Sequence, residues 1–268
     1  MNTFLEFDAV ELPGYLQDTR MRVREFLQRE YLSRKHLFSN SFNPEFSRIC
    51  GKAGYIGMTW PRQYGGAEKS YLERYVVCEE MLAAGAPVWA HWVADRQSGS
   101  VLLNYASEEI KQNLIPKIVA GQCYFCIGLS EPDSGSDLFS AKASAKKSSE
   151  GWVLNGTKLW TSGAQISHYI IALMRTDKPS KDNRRHGLTQ FLVSMDTPGI
   201  STRPVKSLAG GSEFNEVHFD NVVIPSGNVL GEINGAWKQT SEELAYERSG
   251  SDRFLEIFSL FQELANYV

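Results

Sequence analysis

Through the first 121 residues, apolar side chains recur three and four positions apart, the spacing that lines one face of a helix. Val23, Phe26, Leu27 and Tyr31 make one such face. Ser70, with Glu73 three positions on, has the form of a capping box; Leu72, Tyr75, Val76, Leu82 and Ala83 follow as its stripe, and Gly85 and Pro87 stop it. Ser107 is placed to cap a further helix, with Glu108 and Glu109 in the positive first turn and Ile110, Leu114 and Ile118 behind them. Pro116 has no amide hydrogen and is expected to kink or divide that helix, which Gly121 then ends.

Beyond Gln122 the period changes. Segments 124–129, 152–154, 168–174, 188–194 and 216–223 are short and rich in β-branched or aromatic residues. Turn signals such as Asn155-Gly156 and Thr197-Pro198-Gly199 separate them. Spacings of roughly ten residues or more predict an antiparallel sheet or small barrel, not βαβ units. The polar stretch 177–185 reads as a solvated loop between two strands. From Gly235 the pattern is helical again, with Leu244, Phe254, Ile257, Phe258 and Phe261 as apolar positions. The expectation is an α+β fold in three parts. A helical domain spans 1–121, a central antiparallel β-barrel or sandwich domain spans 122–233, and a second helical domain begins over 234–268.

Composition narrows the function. With 42% hydrophobic residues and 14 Phe, 11 Tyr and 6 Trp, the chain can fill a sizeable core, so disorder is excluded. A net charge of −3 argues against a broadly basic nucleic-acid surface. No stretch approaches the ~18 consecutive apolar residues of a membrane span. The first residues carry acids and no basic region ahead of an apolar core, unlike a signal peptide. Four cysteines make no disulfide framework, so the expected compartment is the cytoplasm.

Cys123 and Cys126 form a single CxxC, but inside a strand pattern, where positions three apart face opposite ways; a structural role is expected and no metal site. No GxSxG, HExxH, P-loop or GxGxxG motif is present. More informative is 129–137, LSEPDSGSD, where a strand runs into a loop of short hydroxyls and glycine. Such a loop suits either a carbonyl-rich ring edge or phosphate oxygens, or is simply an acidic turn. Some twenty residues on, Lys158-Leu159-Trp160-Thr161-Ser162-Gly163 puts an indole and two hydroxyls at a strand end, able to wall a flat aromatic cofactor. Two such loops on neighbouring strands point to a pocket.

These stretches, LSEPDSGSDL and NGTKLWTSGA, with FNEVHFDNVVIPSGNVLGEINGAW, closely resemble signatures of the acyl-CoA dehydrogenase flavoproteins. GYIGMTWPRQYGG and SEEIKQNLIPKIVAGQ are similar to that family's N-terminal helical domain. The resemblance implies a helical domain, a central β domain and a C-terminal helical bundle. It implies FAD as cofactor and αβ-dehydrogenation of an acyl-CoA thioester. It further implies an electron-transfer flavoprotein or similar acceptor, and a homo- or hetero-oligomer. Residue by residue, Leu129 and Ser130 correspond to the pair at the flavin ring edge. Gly135 and Ser136 correspond to the turn lining cofactor and thioester arm, with Ser136 also a substrate contact. Trp160 matches the residue packing on the flavin, and Thr161 and Ser162 its hydrogen-bond partners.

That reaction needs a carboxylate to take the α-proton, and such a base works best when burial raises its pKa. Leu244-Ala245-Tyr246-Glu247-Arg248 matches the family's Leu-x-x-Glu-Arg pattern, which makes Glu247 the expected base and Arg248 a substrate contact. The alternative is that Glu247, like Glu242 and Glu243, is a solvated helix-face acid. His91 to Gln97 falls where the family builds its acyl pocket; Asp95 and Arg96 are expected in structural ion pairs there. The basic residues of 177–185 could meet CoA phosphates, though a solvated loop is favoured.

Against the family pattern 268 residues are few. About 35 remain for a bundle of several long helices, so the expectation is a fragment of a longer chain, or one completed by a partner. Apolar positions 254–261 should then be exposed. Three other functions stay open: the same oxidation on a carrier-protein thioester, a flavin monooxygenase, and a non-catalytic half-site subunit of a heteromer.

Overall fold

The computed structural model describes residues 11–38, 42–179, 183–248 and 250–267. Helices α1 (Leu16–Glu30), α2 (Pro44–Lys52), α3 (Tyr71–Ala83), α4 (Trp89–Val93), α5 (Gly99–Tyr105) and α6 (Glu108–Val119) come first. Strands β1 (Phe125–Gly128), β2 (Ser144–Ser148), β3 (Gly151–Ser162) and β4 (Tyr169–Arg175) follow. Then come β5 (Leu188–Ser194), β6 (Ile200–Val205), β7 (Phe214–Ile224) and β8 (Val229–Leu230). Helices α7 (Trp237–Arg248), α8 (Asp252–Leu255) and α9 (Phe258–Tyr267) close the order. The fold is an N-terminal helical domain with a central β domain, as the change of period predicts.

The described residues form two compact units. One draws on Met1–Ser39, Lys69–Ala86 and Ser251–Val268. In it α1 buries Val23, Phe26 and Leu27, with Tyr31 just past its end, the face read from the spacing. α3 starts at the expected capping box: the Ser70 hydroxyl accepts the Glu73 N–H at 3.1 Å, and the Glu73 carboxylate accepts the Ser70 N–H at 2.9 Å. Its buried stripe is Val76, Val77, Glu80, Met81 and Leu82, whereas Leu72 is exposed. Glu80 can join the stripe because Arg24 of α1 donates to it at 2.7 Å and Arg20 pairs with it as well. On α9, Leu260, Phe261 and Leu264 are exposed, as is Ile257 just before it; the side chain of Phe254 lies outside the described residues.

The second unit comprises Asn40–Glu68 and Pro87–Gly250. Here α6 runs on through Pro116, so the proline does not divide it. The proline costs the helix one amide bond, and burial of Leu114, Ile115 and Ile118 holds the turns on either side. Gly121 ends the helix at φ +68°, and a Cβ there would lie 2.1 Å from the Ser47 carbonyl oxygen of α2; no larger residue fits this close approach. Between α4 and α5 the chain widens into one π-helical turn, Ala94–Ser98.

The sheet of this unit runs β6-β7-β3-β2-β4-β5-β8, with β1 beside β4. Most pairs are antiparallel, but β1 and β4 are parallel, as is the single Ser144–Arg175 pairing of β2 with β4. The sheet is therefore mixed, not antiparallel throughout: the β2/β3 hairpin lies between β1 and β4, which demands a crossover. Trp152, Leu154, Ile170, Phe191, Val193, Val217, Phe219 and Val222 fill the core of the sheet. Strands β2 and β6 carry no apolar alternation and escape a pattern reading. β6 is an edge strand, largely exposed, where Pro204 is tolerated.

Candidate active site

The loop after β1 is pinned from inside by one buried ion pair. Lys158 of β3 is fully buried, and its ammonium meets the Glu131 carboxylate at 2.8 Å and the Leu129 carbonyl at 3.2 Å. Burial pushes the Lys158 pKa down from its ordinary value, and Glu131 pulls it back. Glu131 also accepts the N–H groups of Lys142, at 2.7 Å, and Ala143, at 3.0 Å, so one carboxylate gathers both ends of the loop. The Leu159 N–H donates to the Ser130 carbonyl at 2.9 Å. The carbonyls of Leu129 and Ser130 are thus engaged within the chain, and the polar capacity left to the pair is its N–H groups and the Ser130 hydroxyl.

Glu131 and Lys158 do not stand out in the sequence. The available signal was alternation: Leu154 is buried in β3, so Lys158, four positions on, shares its inward face. Farther along the loop, Glu131 and Ser134 exchange backbone hydrogen bonds at 2.6 and 3.1 Å, and Gly135 and Ser136 are exposed. Nothing within the chain requires glycine at 135, where a Cβ would meet open space.

β1 and β3 are not ladder neighbours: β1 pairs with β4, and β3 with β2 and β7. The Lys158–Glu131 and Leu159–Ser130 contacts bring the two hydroxyl-bearing segments together instead. At the end of β3 the register with β7 shifts between Lys158 and Thr161, and Trp160 adopts φ +63°. A left-handed backbone at a tryptophan is rare and is the kind of strain that marks a working site. This bulge leaves the indole 56% exposed, with the Phe214 ring edge-on at 6.0 Å. Thr161 and Ser162 then point opposite ways. Thr161 is buried, its hydroxyl without a hydrogen-bond partner among the described residues, and Ser162 is exposed. The Asn215 amide of β7 donates to the Thr161 carbonyl at 3.2 Å and ties the strand end down.

On α7, Gln239, Glu243 and Glu247 are four residues apart and share a face. Gln239 donates to the Leu230 carbonyl of β8 at 2.5 Å, and Glu243 accepts from the Gln190 amide of β5 at 2.7 Å. Glu243 is therefore no solvated acid: it is 1% exposed. Burial pushes its pKa up to about 8, the Gln190 hydrogen bond opposes this, and the Glu247 charge adds to it. Glu242 is held by the Tyr105 hydroxyl of α5. Glu247 is half-buried and Arg248 exposed.

Cys123 and Cys126 are free and buried, and burial pushes both thiols up to about 12, which suits packing rather than reactivity. Asp95 accepts the Gly57 N–H at 2.7 Å, and Arg96 lies over the Trp92 ring. Of the basic loop, 180–182 lie outside the described residues. Residues 183–185 are exposed, as expected of a solvated loop; Arg184 pairs with Asp137 at 2.7 Å, and Arg185 lies over the Trp237 ring. Among the described residues no helix is long and apolar enough to cross a membrane.

Residues 16–122 match the acyl-CoA dehydrogenase N-terminal domain, and 126–222 the acyl-CoA dehydrogenase middle domain. Acyl-CoA dehydrogenase FadE26 of Mycobacterium tuberculosis is 30% identical over 218 residues, covering 81% of this chain and 54% of the relative. Among solved structures, the ChsE4-ChsE5 complex from Mycobacterium tuberculosis superposes with a TM-score of 0.84 and 27% identity, over 97% of this chain and 67% of that one. A glutaryl-CoA dehydrogenase from Mycobacterium smegmatis in complex with FADH2 gives 0.73 and 26%, over 92% and 62%. The chain spans about half the length of the curated relatives it matches. By both domain matches, in order along one chain, it belongs to the acyl-CoA dehydrogenase family.

Proposed function

We propose that the protein carries out FAD-dependent αβ-dehydrogenation of an acyl-CoA thioester. The observation that carries this reading is the joining, through Lys158–Glu131 and Leu159–Ser130, of the two segments that resemble the family's flavin loops. The residues present fit a flavin: an outward indole at a strained bulge, the exposed Ser162 hydroxyl two positions on, and open space before Gly135. In this reading Leu129 and Ser130 hold the ring edge, and Gly135 and Ser136 line the cofactor and the thioester arm. Trp160 packs on the ring. Ser162, on the open side of β3, makes the outward hydrogen bond, with Thr161 supporting from the buried side. FAD, when bound, supplies the acceptor for the β-hydride.

Glu247 is the group that takes the substrate α-proton, and the exposed Arg248 beside it is a substrate contact. Hydrogen-bond donors at the thioester oxygen stabilise the enolate character that develops as the proton leaves. Partners in this reading are an electron-transfer flavoprotein or similar acceptor and further subunits, a copy of this chain or a sister chain. Similarity to the ChsE4-ChsE5 complex supports the sister-chain form.

The visible spectrum of purified protein, before and after anaerobic addition of acyl-CoAs, tests the proposal. A bound flavin that bleaches with one class of acyl-CoA is the expected result. Bleaching only by a carrier-protein thioester would change the substrate class. Colourless protein that takes up no FAD would favour a half-site subunit.

A further inference from the structure

Gln190, Gln239 and Glu243 bring three buried polar side chains to the contact of α7 with the sheet, where apolar residues would pack without hydrogen-bond demands. Gln190 is the hub: its amide nitrogen donates to Glu243, and its amide oxygen lies 3.5 Å from the Gln239 amide nitrogen. Gln239 in turn holds the Leu230 carbonyl. Glu243 Oε1 has no hydrogen-bond partner among the described residues. Four residues after Glu243, on the same face, comes Glu247.

Two ionised carboxylates one turn apart repel, and a buried one has no water to screen it. The π-helical turn and α5 pack against this stretch. On the π-helical turn, Asp95 is engaged with the Gly57 amide and Arg96 with Trp92 and Gln97. On α5, Tyr105 serves Glu242. On α7 itself the other titratable groups are Lys238, Glu242, Tyr246, Glu247 and Arg248.

We propose that Glu243 is a positioning residue for Glu247: as a neutral acid hydrogen-bonded to Gln190, it fixes α7 on β5 and leaves the charge of the pair on Glu247. This rests on the reading of Glu247 as base and adds to it the device that aims it. The upward shift of Glu243 is the electrostatic side of the same arrangement. As pH rises through about 8, Glu243 ionises and a buried charge appears on α7 one turn from Glu247.

The test has two readouts on the full chain loaded with flavin. Infrared difference spectra across pH should show the carbonyl stretch of a protonated carboxylic acid that disappears near pH 8 and is missing from E243Q. Exchange of the α-proton of a bound acyl thioester should fall about tenfold in E243L, which strands the Gln190 amide, and recover in E243Q. Native exchange should decline above about pH 8, a limb that E243Q lacks. A carboxylate signal from Glu243 at neutral pH, or the same alkaline limb in E243Q, overturns the proposal. If E247Q still exchanges the α-proton, the base reading is what fails, while the infrared band still reports the state of Glu243.

Discussion

Lys158 and Glu131 meet at 2.8 Å with side chains 0% and 6% exposed, and this pair joins the loop after β1 to the end of β3. Removing one partner of a buried pair strands the other. Lys158→Met should therefore destabilise the protein by about 3–5 kcal/mol, measured by denaturant unfolding. The double variant K158M/E131Q should be less unstable than the sum of the single changes, because they share one interaction. Additive losses would show that the pair is not coupled.

Trp160 combines an exposed indole with a left-handed backbone. Trp160→Gly therefore removes little core packing and relieves φ +63°, so the melting temperature should stay the same or rise. Flavin retention after gel filtration should fall sharply if the indole packs on the ring. A variant that keeps its flavin would separate Trp160 from cofactor binding.

Glu247→Gln keeps the size of the side chain and removes the base. Flavin content should be unchanged, while α-proton exchange and bleaching by acyl-CoA should fall at least a hundredfold, the usual reach of general-base catalysis being about 10²–10⁴. Turnover close to the native rate would place the base elsewhere.

Burial of Glu243 links stability to pH. Its pKa is raised on folding from 4.5 to about 8, so between these values the folded state binds more protons than the unfolded one. The sign follows: the contribution is fully present below 4.5 and is lost as pH rises through about 8. Thermal melts at a series of pH values in that window should show native stability declining relative to E243Q. Parallel curves for the two proteins would mean that Glu243 is already ionised.

Much of this was legible along the chain. The face of α1, the capping box of α3 and the cap of α6 follow from spacing and hydrogen-bonding chemistry within one or two turns, and these are local quantities. What escaped the reading has local causes as well. Pro116 is a breaker by itself, yet the burial of Ile115 and Ile118 carries α6 through it. Strand β2 has no apolar pattern, and its pairing with β3 supplies backbone hydrogen bonds that no side chain announces.

The sequence by itself determined the kinds of element and their order, the two hydroxyl-bearing loops and the family signatures they carry, because period and motif are written in neighbouring residues. Only the tertiary structure decided that Lys158 and Glu131 meet, that a bulge turns Trp160 outward while Thr161 turns in, and that Glu243 rather than a solvated acid faces Gln190. Each depends on which strand or helix lies opposite. Burial, which pushes the pKa of Lys158 down and that of Glu243 up, is a property of that packing and of no short stretch of chain.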